Sequence, residues 1–235
     1  EQILSVLLEH PFYGHRRIAL HLGLNKKPVL RVMNLFGIKP VMRKPKKPFK
    51  PGDKAKEPSG YCNYLKWLCP LQRGIFWGSD FTYFWFIDRF YYLATIIDIF
   101  SREIVGTAFG AFHNQELVME ALKDALKKHA PPQFIHSDQG SEYNSEAYIN
   151  LAQSHGITVS MSAKGKPWEN GFQESFYSQF KLELGPLKRF PGLGEVVEAI
   201  HHQIHYYNYH RIHTALKMPP KKYARLHSNH KEKLF

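Results

Sequence analysis

The stretch from Gly74 to Phe112 does most to limit what this chain can fold into. It holds three aromatic and β-branched runs, "GIFWGSDFTYFWF", "FYYLATIIDIF" and "EIVGTAFGAF", separated only by "IDR" and "SR". Residues of these types suit a pleated, half-buried surface, and connections this short join antiparallel neighbours. The spacing predicts three antiparallel strands over residues 74–86, 90–100 and 103–112. The period then changes. "NQELVMEALKDALKKHA" places Leu117, Ala121, Leu122 and Ala125 on one helical face. A short strand in "PQFIHSD", a helix over 145–155, a strand in "ITVSMS" and a helix carrying Glu174 follow. Strands first and β-α alternation afterwards predict an α/β fold with a mixed five-stranded sheet and helices on both faces.

The flanks read differently. Residues 1–42 contain three short apolar-periodic helices with tight turns, and Lys26, Lys27 and Arg31 on the last of them suggest a helix-turn-helix-like DNA-binding unit. A plain helical bundle is the blander alternative. Residues 43–72 form a basic linker, most obvious in the Pro- and Lys-rich "PVMRKPKKPFKPGDKAK", whose composition cannot build a core. Residues 73–185 carry the sheet and its helices, and 186–235 a C-terminal helical extension ending in a Pro-stopped tail.

Three acids stand out from these elements. Asp80 interrupts an apolar strand, where an unpaired carboxylate is costly. Asp138 ends the strand in "PQFIHSD", which places it at the carboxyl edge of the sheet, where open α/β sheets bind ligands. Glu174 sits on a helix with Asn170 and Lys181 on one polar stripe and Phe172, Phe176 and Phe180 opposite. Gly165 and Pro167 suit the turn into that helix. With 57 residues between the first two acids and 35 between the second and third, each alone is most simply structural. Gathered at one edge, three carboxylates repel each other unless a cation neutralises them. An all-oxygen donor set suits Mg²⁺ or Mn²⁺, and two such ions can hold the attacking and leaving oxygens of a phosphodiester.

Composition narrows the partner. The chain has 235 residues, 43% hydrophobic, enough for one medium-sized core, and a formal charge of +12 that favours a polyanion. No apolar run reaches membrane-spanning length and no secretory signal opens the chain, so nucleic acid is preferred to an anionic membrane, with a cytoplasmic, nucleoid-associated location. Cys62 and Cys69 fit neither a zinc site nor a disulfide framework and read as apolar filler.

"WGSDFTY", "YLATIIDIFSREIVG", "FIHSDQGSEY", "SMSAKGKPWENGFQESFYSQFKLEL" and "YYNYHRIHTAL" resemble, in order, segments of the DDE transposases of the retroviral-integrase superfamily. The likeness is greatest to the orfB-type insertion-sequence transposases, and "YGHRRI" resembles part of the small domain before their core. This resemblance implies a ribonuclease-H-like core and two divalent metals. It also implies DNA cleavage and joining without a covalent enzyme intermediate, on DNA as partner. By position it makes Asp80, Asp138 and Glu174 the metal-binding catalytic acids and Lys181 the basic residue seven positions after the glutamate. "WEN" stands where "WDN" is usual, which keeps the charge, and Phe172 stands where a small residue is frequent. Family analogy also implies a homo-oligomer on DNA and an orfA-type partner or fusion.

Lys164, Lys166, Trp168, Asn170 and Lys181 are the candidate DNA contacts near the acids. His136 shares a strand face with Asp138 merely by alternation and is not assigned as a base. His201, His202 and His205 lack a matching acid or Cys for zinc. Asp98, with Arg102 nearby, reads as structural, and Arg211 and His213 as residues that return the tail to the core. Two other functions fit the same residues: a catalytically silent transposase-derived DNA-binding protein, and a ribonuclease-H-like nuclease acting on RNA–DNA hybrids.

Overall fold

The computed structural model describes residues 1–41, 60–163 and 171–228. Five strands form one sheet in the order β3-β2-β1-β4-β5. They are β1 (Phe76–Phe86), β2 (Arg89–Asp98), β3 (Ile104–Gly110), β4 (Phe134–Ser137) and β5 (Thr158–Met161). The first three pair antiparallel, as the short connections require, while β4 joins β1 in parallel and β5 joins β4 in parallel. Both parallel links need a crossover, and helices supply them.

Helices α4 (Gln115–Lys128) and α5 (Glu146–Ser154) cover one face of the sheet. Each starts on a side-chain cap: Asn114 accepts from Leu117 N at 3.2 Å, and Ser145 accepts from Tyr148 N at 3.3 Å. Val118, Ala121, Leu122 and Ala125 pack there on Trp77, Ala94, Ile96 and Ile135. Alanine on the helix and glycine on the strand let α4 approach closely. A Cβ on Gly106 would lie 2.4 Å from Ala121 O and 2.6 Å from Ala125 Cβ.

The other face is covered by α6 (Gly171–Leu184) and α7 (Leu193–Tyr209). Here Phe84, Phe86, Leu93 and Ile97 meet Phe176, Phe180, Leu184 and Val196. Even-numbered residues of β1 therefore look toward α6, and odd-numbered ones such as Trp77 and Phe81 toward α4. The short helix α8 (Pro220–Leu226) follows, with Pro220 at its first turn.

At the start of the chain, α1 (Gln2–Glu9), α2 (His15–Leu22) and α3 (Lys26–Leu35) share a core of Val6, Tyr13, Ile18, Ala19, Val29 and Met33. Gly23, at φ +66°, ends α2 in the left-handed conformation that glycine adopts freely. This unit docks on the end of α7. The Tyr13 hydroxyl accepts from Ile212 N at 2.7 Å, Ile212 enters the helical core, and His10 Nδ1 meets the Tyr206 hydroxyl at 2.8 Å.

Of the segment read as linker, residues 42–59 lie outside the described residues. From Gly60 onward the chain runs along β5, where Met161 N donates to Cys62 O at 3.3 Å and Tyr64 N to Ser160 Oγ at 3.1 Å. Cys62 and Cys69 are exposed free thiols, not buried filler, because this edge segment turns their side chains outward. Among the described residues, no helix is long and apolar enough to cross a membrane.

Candidate active site

The β1–β4 pairing places the first two acids. Phe76 faces Phe134, Trp77 faces Ile135 and Gly78 faces His136. Two residues further along each strand, the same register brings Asp80 level with Asp138 on the same side of the sheet, the α6 side. β4 ends at Ser137, so Asp138 emerges beyond its carboxyl end and is exposed. Its Oδ1 accepts from Gly140 N at 2.9 Å. A Cβ at position 140 would sit 3.1 Å from that oxygen and 2.9 Å from Glu142 Oε2, so a larger residue there would displace both carboxylates. Gln139 fixes the same turn by donating to Ser162 O at 2.9 Å.

Asp80 is less comfortable. Its Oδ1 accepts from its neighbour Phe81 N at 2.8 Å. Burial pushes its pKa from 3.8 up to about 7, with Asp138 and then Glu174 adding to the rise against the Phe81 N–H. Asp80 thus senses both of the other acids across the chain separations noted above. Glu174 lies exposed in the first turn of α6. A helix N-terminus suits a carboxylate.

Three side chains of α6 tie it to β1 and so set the position of Glu174. Gln173 Nε2 donates to Gly78 O at 2.7 Å, and Gln173 is fully buried. The Tyr177 hydroxyl donates to Asp80 O at 2.6 Å and shares a 2.8 Å bond with Thr95 Oγ1, Thr95 being the residue opposite Asp80 on β2. Lys181 Nζ donates to Tyr83 O at 2.7 Å and lies 4.6 Å from the Tyr83 ring centroid. Gln173, Tyr177 and Thr95 were not among the residues singled out from sequence. The signal was present: 173, 176, 177, 180 and 184 follow helical spacing, so two polar groups fall within an apolar stripe and require buried partners.

Of the other candidates, Lys164, Lys166, Trp168 and Asn170 lie outside the described residues, and Phe172 is described in its backbone alone. Lys26, Lys27 and Arg31 sit exposed on α3, opposite buried Val29 and Met33. His136 is buried and bonds Ser160 Oγ at 2.9 Å. Asp98 is structural, held by Gly74 N at 2.9 Å, Ser101 N at 2.8 Å and Ser101 Oγ at 2.7 Å. His202 lies 3.6 Å from Glu198 and His205 stacks on Tyr209. Among the described residues, ligand-type atoms gather within 4.8 Å of one another only at Glu9, His10 and His21. The three acids share an edge at a wider spacing than that.

An antiparallel triplet followed by two parallel strands, with acids at the β1–β4 edge and on the helix beyond β5, defines an integrase-type polynucleotidyl transferase core. Integrase core domain families match residues 70–167 and 155–220. The fold agrees with the catalytic core domain of HTLV-2 integrase, at a TM-score of 0.57 and 19% identity over 66% of this chain and 98% of that one. The transposase for insertion sequence element IS904 of Lactococcus lactis is 35% identical over 227 residues, 92% of this chain and 88% of the relative. Transposase InsF for insertion sequence IS3A of Escherichia coli is 34% identical over 109 residues, 46% of this chain and 38% of the relative. The chain belongs to the insertion-sequence transposases with an integrase core, enzymes of DNA integration.

Proposed function

We propose that Asp80, Asp138 and Glu174 are the catalytic carboxylates and that they hold divalent cations, Mg²⁺ or Mn²⁺, as a pair. The observation that carries this is the β1–β4 register, which brings Asp80 level with Asp138 at the sheet edge, where burial first and the neighbouring acids second raise Asp80 to about 7 and leave a site short of positive charge. Its donors are oxygens, which suits hard cations. When bound, such ions supply Lewis acidity to a phosphoryl oxygen and lower the pKa of water.

The rest is positioning by this chain. Gln173 and Tyr177 fix α6 on β1, so Glu174 is presented to the β1–β4 edge. Gly140 N holds one Asp138 oxygen and leaves the other available. The reaction has two steps. Hydrolysis breaks a phosphodiester at the element end and frees a 3′-hydroxyl. That hydroxyl then forms a new bond to a target phosphorus, while the target's own 3′ oxygen leaves with the proton. No nucleophilic side chain takes part, so alignment and charge neutralisation provide the rate.

DNA is the substrate in this reading. Lys26, Lys27 and Arg31 on α3, with Lys164, Lys166, Trp168, Asn170 and Lys181 around the acids, are its proposed contacts. Holding two ends together calls for a homo-oligomer, and an orfA-type segment completes end recognition, in association with the nucleoid. The test is Asp138→Ala on end-labelled duplex with Mg²⁺. Cleavage and strand transfer should vanish while duplex binding persists; full activity in that variant would overturn the assignment. Preference for an RNA–DNA hybrid over duplex would favour the nuclease reading instead.

A further inference from the structure

The cluster of Glu9, His10 and His21 lies in the N-terminal helical unit, and the catalytic reading does not use it. Glu9 ends α1 and His10 caps it, while His21 sits in the last turn of α2. The carboxyl ends of two helices meet here, and each carries partial negative charge that favours a cation. His10 is the buried member, stacked on Tyr13 at 4.3 Å between ring centroids, with the His21 ring edge-on at 5.2 Å. Glu9 and His21 are exposed. No cysteine joins the group.

The hydroxyl protons around His10 fix which of its ring nitrogens can bind an ion. The Tyr13 hydroxyl donates its proton to His210 O at 3.3 Å and accepts from Ile212 N at 2.7 Å. Tyr13 is also hydrogen-bonded to Tyr206, and with its own proton committed it is the acceptor there, so Tyr206 donates. That leaves the Tyr206 oxygen as acceptor in its 2.8 Å contact with His10 Nδ1, which therefore carries the proton. Nε2 is then the nitrogen with the lone pair. It faces Glu9 Oε2 at 3.9 Å, too far for a hydrogen bond. A histidine that donates one ring N–H to an oxygen has the support a metal ligand ordinarily has, because the bond sets its tautomer and ring plane. Burial first and His21 second lower the His10 pKa, which keeps the ring in its neutral, ligating form.

We infer that Glu9, His10 and His21 bind a Zn²⁺ ion, through a Glu9 carboxylate oxygen, His10 Nε2 and one His21 ring nitrogen, with water at the fourth position. Two imidazoles and a carboxylate are a donor set that zinc accepts. Mg²⁺ prefers an all-oxygen shell, so this site differs in chemistry from the one proposed at Asp80, Asp138 and Glu174. One ligand atom from each residue lies within 4.8 Å of the other two. Tetrahedral zinc at about 2.0–2.2 Å from its ligands sets them roughly 3.3 Å apart. The exposed Glu9 and His21 side chains close that gap by rotation, while His10 stays fixed. The bound ion joins α1 to α2 and, through His10 and Tyr206, both of them to α7.

The experiment uses the full chain, stripped with EDTA, dialysed, and returned to buffer containing excess Mg²⁺ so that oxygen-rich sites are filled. Zn²⁺ uptake is measured by competition with a chromophoric chelator, and Tm with and without Zn²⁺ by circular dichroism, which also confirms that each variant is folded. The wild type should bind one Zn²⁺ per chain, and Zn²⁺ at one hundred times its Kd should raise Tm by about 5–11 °C. Glu9→Ala and His21→Ala, both at exposed positions, should fold and lose the ion. Tyr206→Phe keeps all three ligands and removes the oxygen that fixes His10, so it should bind about 10–100-fold more weakly. Asp138→Ala should bind as the wild type does. No uptake by the wild type overturns the site, and so does uptake unchanged in His21→Ala. Uptake lost in Asp138→Ala puts the ion at the acidic edge and overturns it too. Unchanged affinity in Tyr206→Phe overturns the assignment of Nε2 as the ligand.

Discussion

Asp80→Asn is the most informative change at the acidic edge. In the folded chain Asp80 ionises near 7, raised from 3.8 by burial first and by Asp138 second. Between those values the folded protein keeps a proton that the unfolded chain has released, so ionisation opposes folding and stability falls as pH rises. The slope is about 1.36 kcal/mol per pH unit inside the window. Integrated from pH 5 to pH 8, the loss is roughly 2–3 kcal/mol. An asparagine has the same shape and no charge to bury, so the variant escapes it. For a chain of this size 1 kcal/mol moves Tm by about 2–4 °C, so the Tm gap between variant and wild type should widen by about 5–10 °C from pH 5 to pH 8. His213 acts in the opposite sense. Lowered to about 4, it costs stability as pH falls below 6.5, and being common to both proteins it cancels from the gap. The assay is thermal denaturation by near-ultraviolet circular dichroism in EDTA across that range. A gap constant to within a degree would refute the reasoning.

Adding Mg²⁺ at pH 8 should raise the wild-type Tm by several degrees and leave Asp80→Asn almost unchanged, as scanning calorimetry will show; equal shifts would detach the cation from this edge. Tyr177→Phe removes the hydroxyl shared by Asp80 O and Thr95. It should cost about 1–3 kcal/mol in urea denaturation, and strand cleavage by the folded fraction should fall with it because α6 loses its hold beside Glu174. Gly106→Ala drives a Cβ into the α4 backbone. It should destabilise by about 1–3 kcal/mol or more, with loss of soluble protein as the coarse readout.

Most of the sheet was legible because its strands announce themselves locally. The aromatic and β-branched density of "GIFWGSDFTYFWF" and the two short links that follow specify an antiparallel triplet without reference to anything distant. The acids were legible by place, since Asp138 ends a strand and Glu174 sits on a helix. Gln173 and Tyr177 were hidden because a polar residue on a helix is ordinarily surface, and only the depth of the apolar stripe around them shows otherwise. The buried stripe on α6 accordingly runs through Gln173 and Tyr177 as well as the phenylalanines. A cavity lined by Arg17, Arg102 and Arg211 was invisible for a different reason. Its walls come from α2, the β2–β3 turn, α6 and the chain after α7, and no local pattern encodes their meeting.

Pairing between β1 and β4 stops at Gly78, while β1 itself continues to Phe86. Among the described residues, the strand has no neighbouring strand on one side from there on, and unpaired strand borders invite other chains to join them. The carbonyls of Gly78 and Asp80, at the point where β4 leaves, are taken by Gln173 and Tyr177. The helix that delivers the third acid therefore also shields this border from self-association. With Glu174 in its proposed role, loosening α6 would cost the molecule its chemistry and its solubility together.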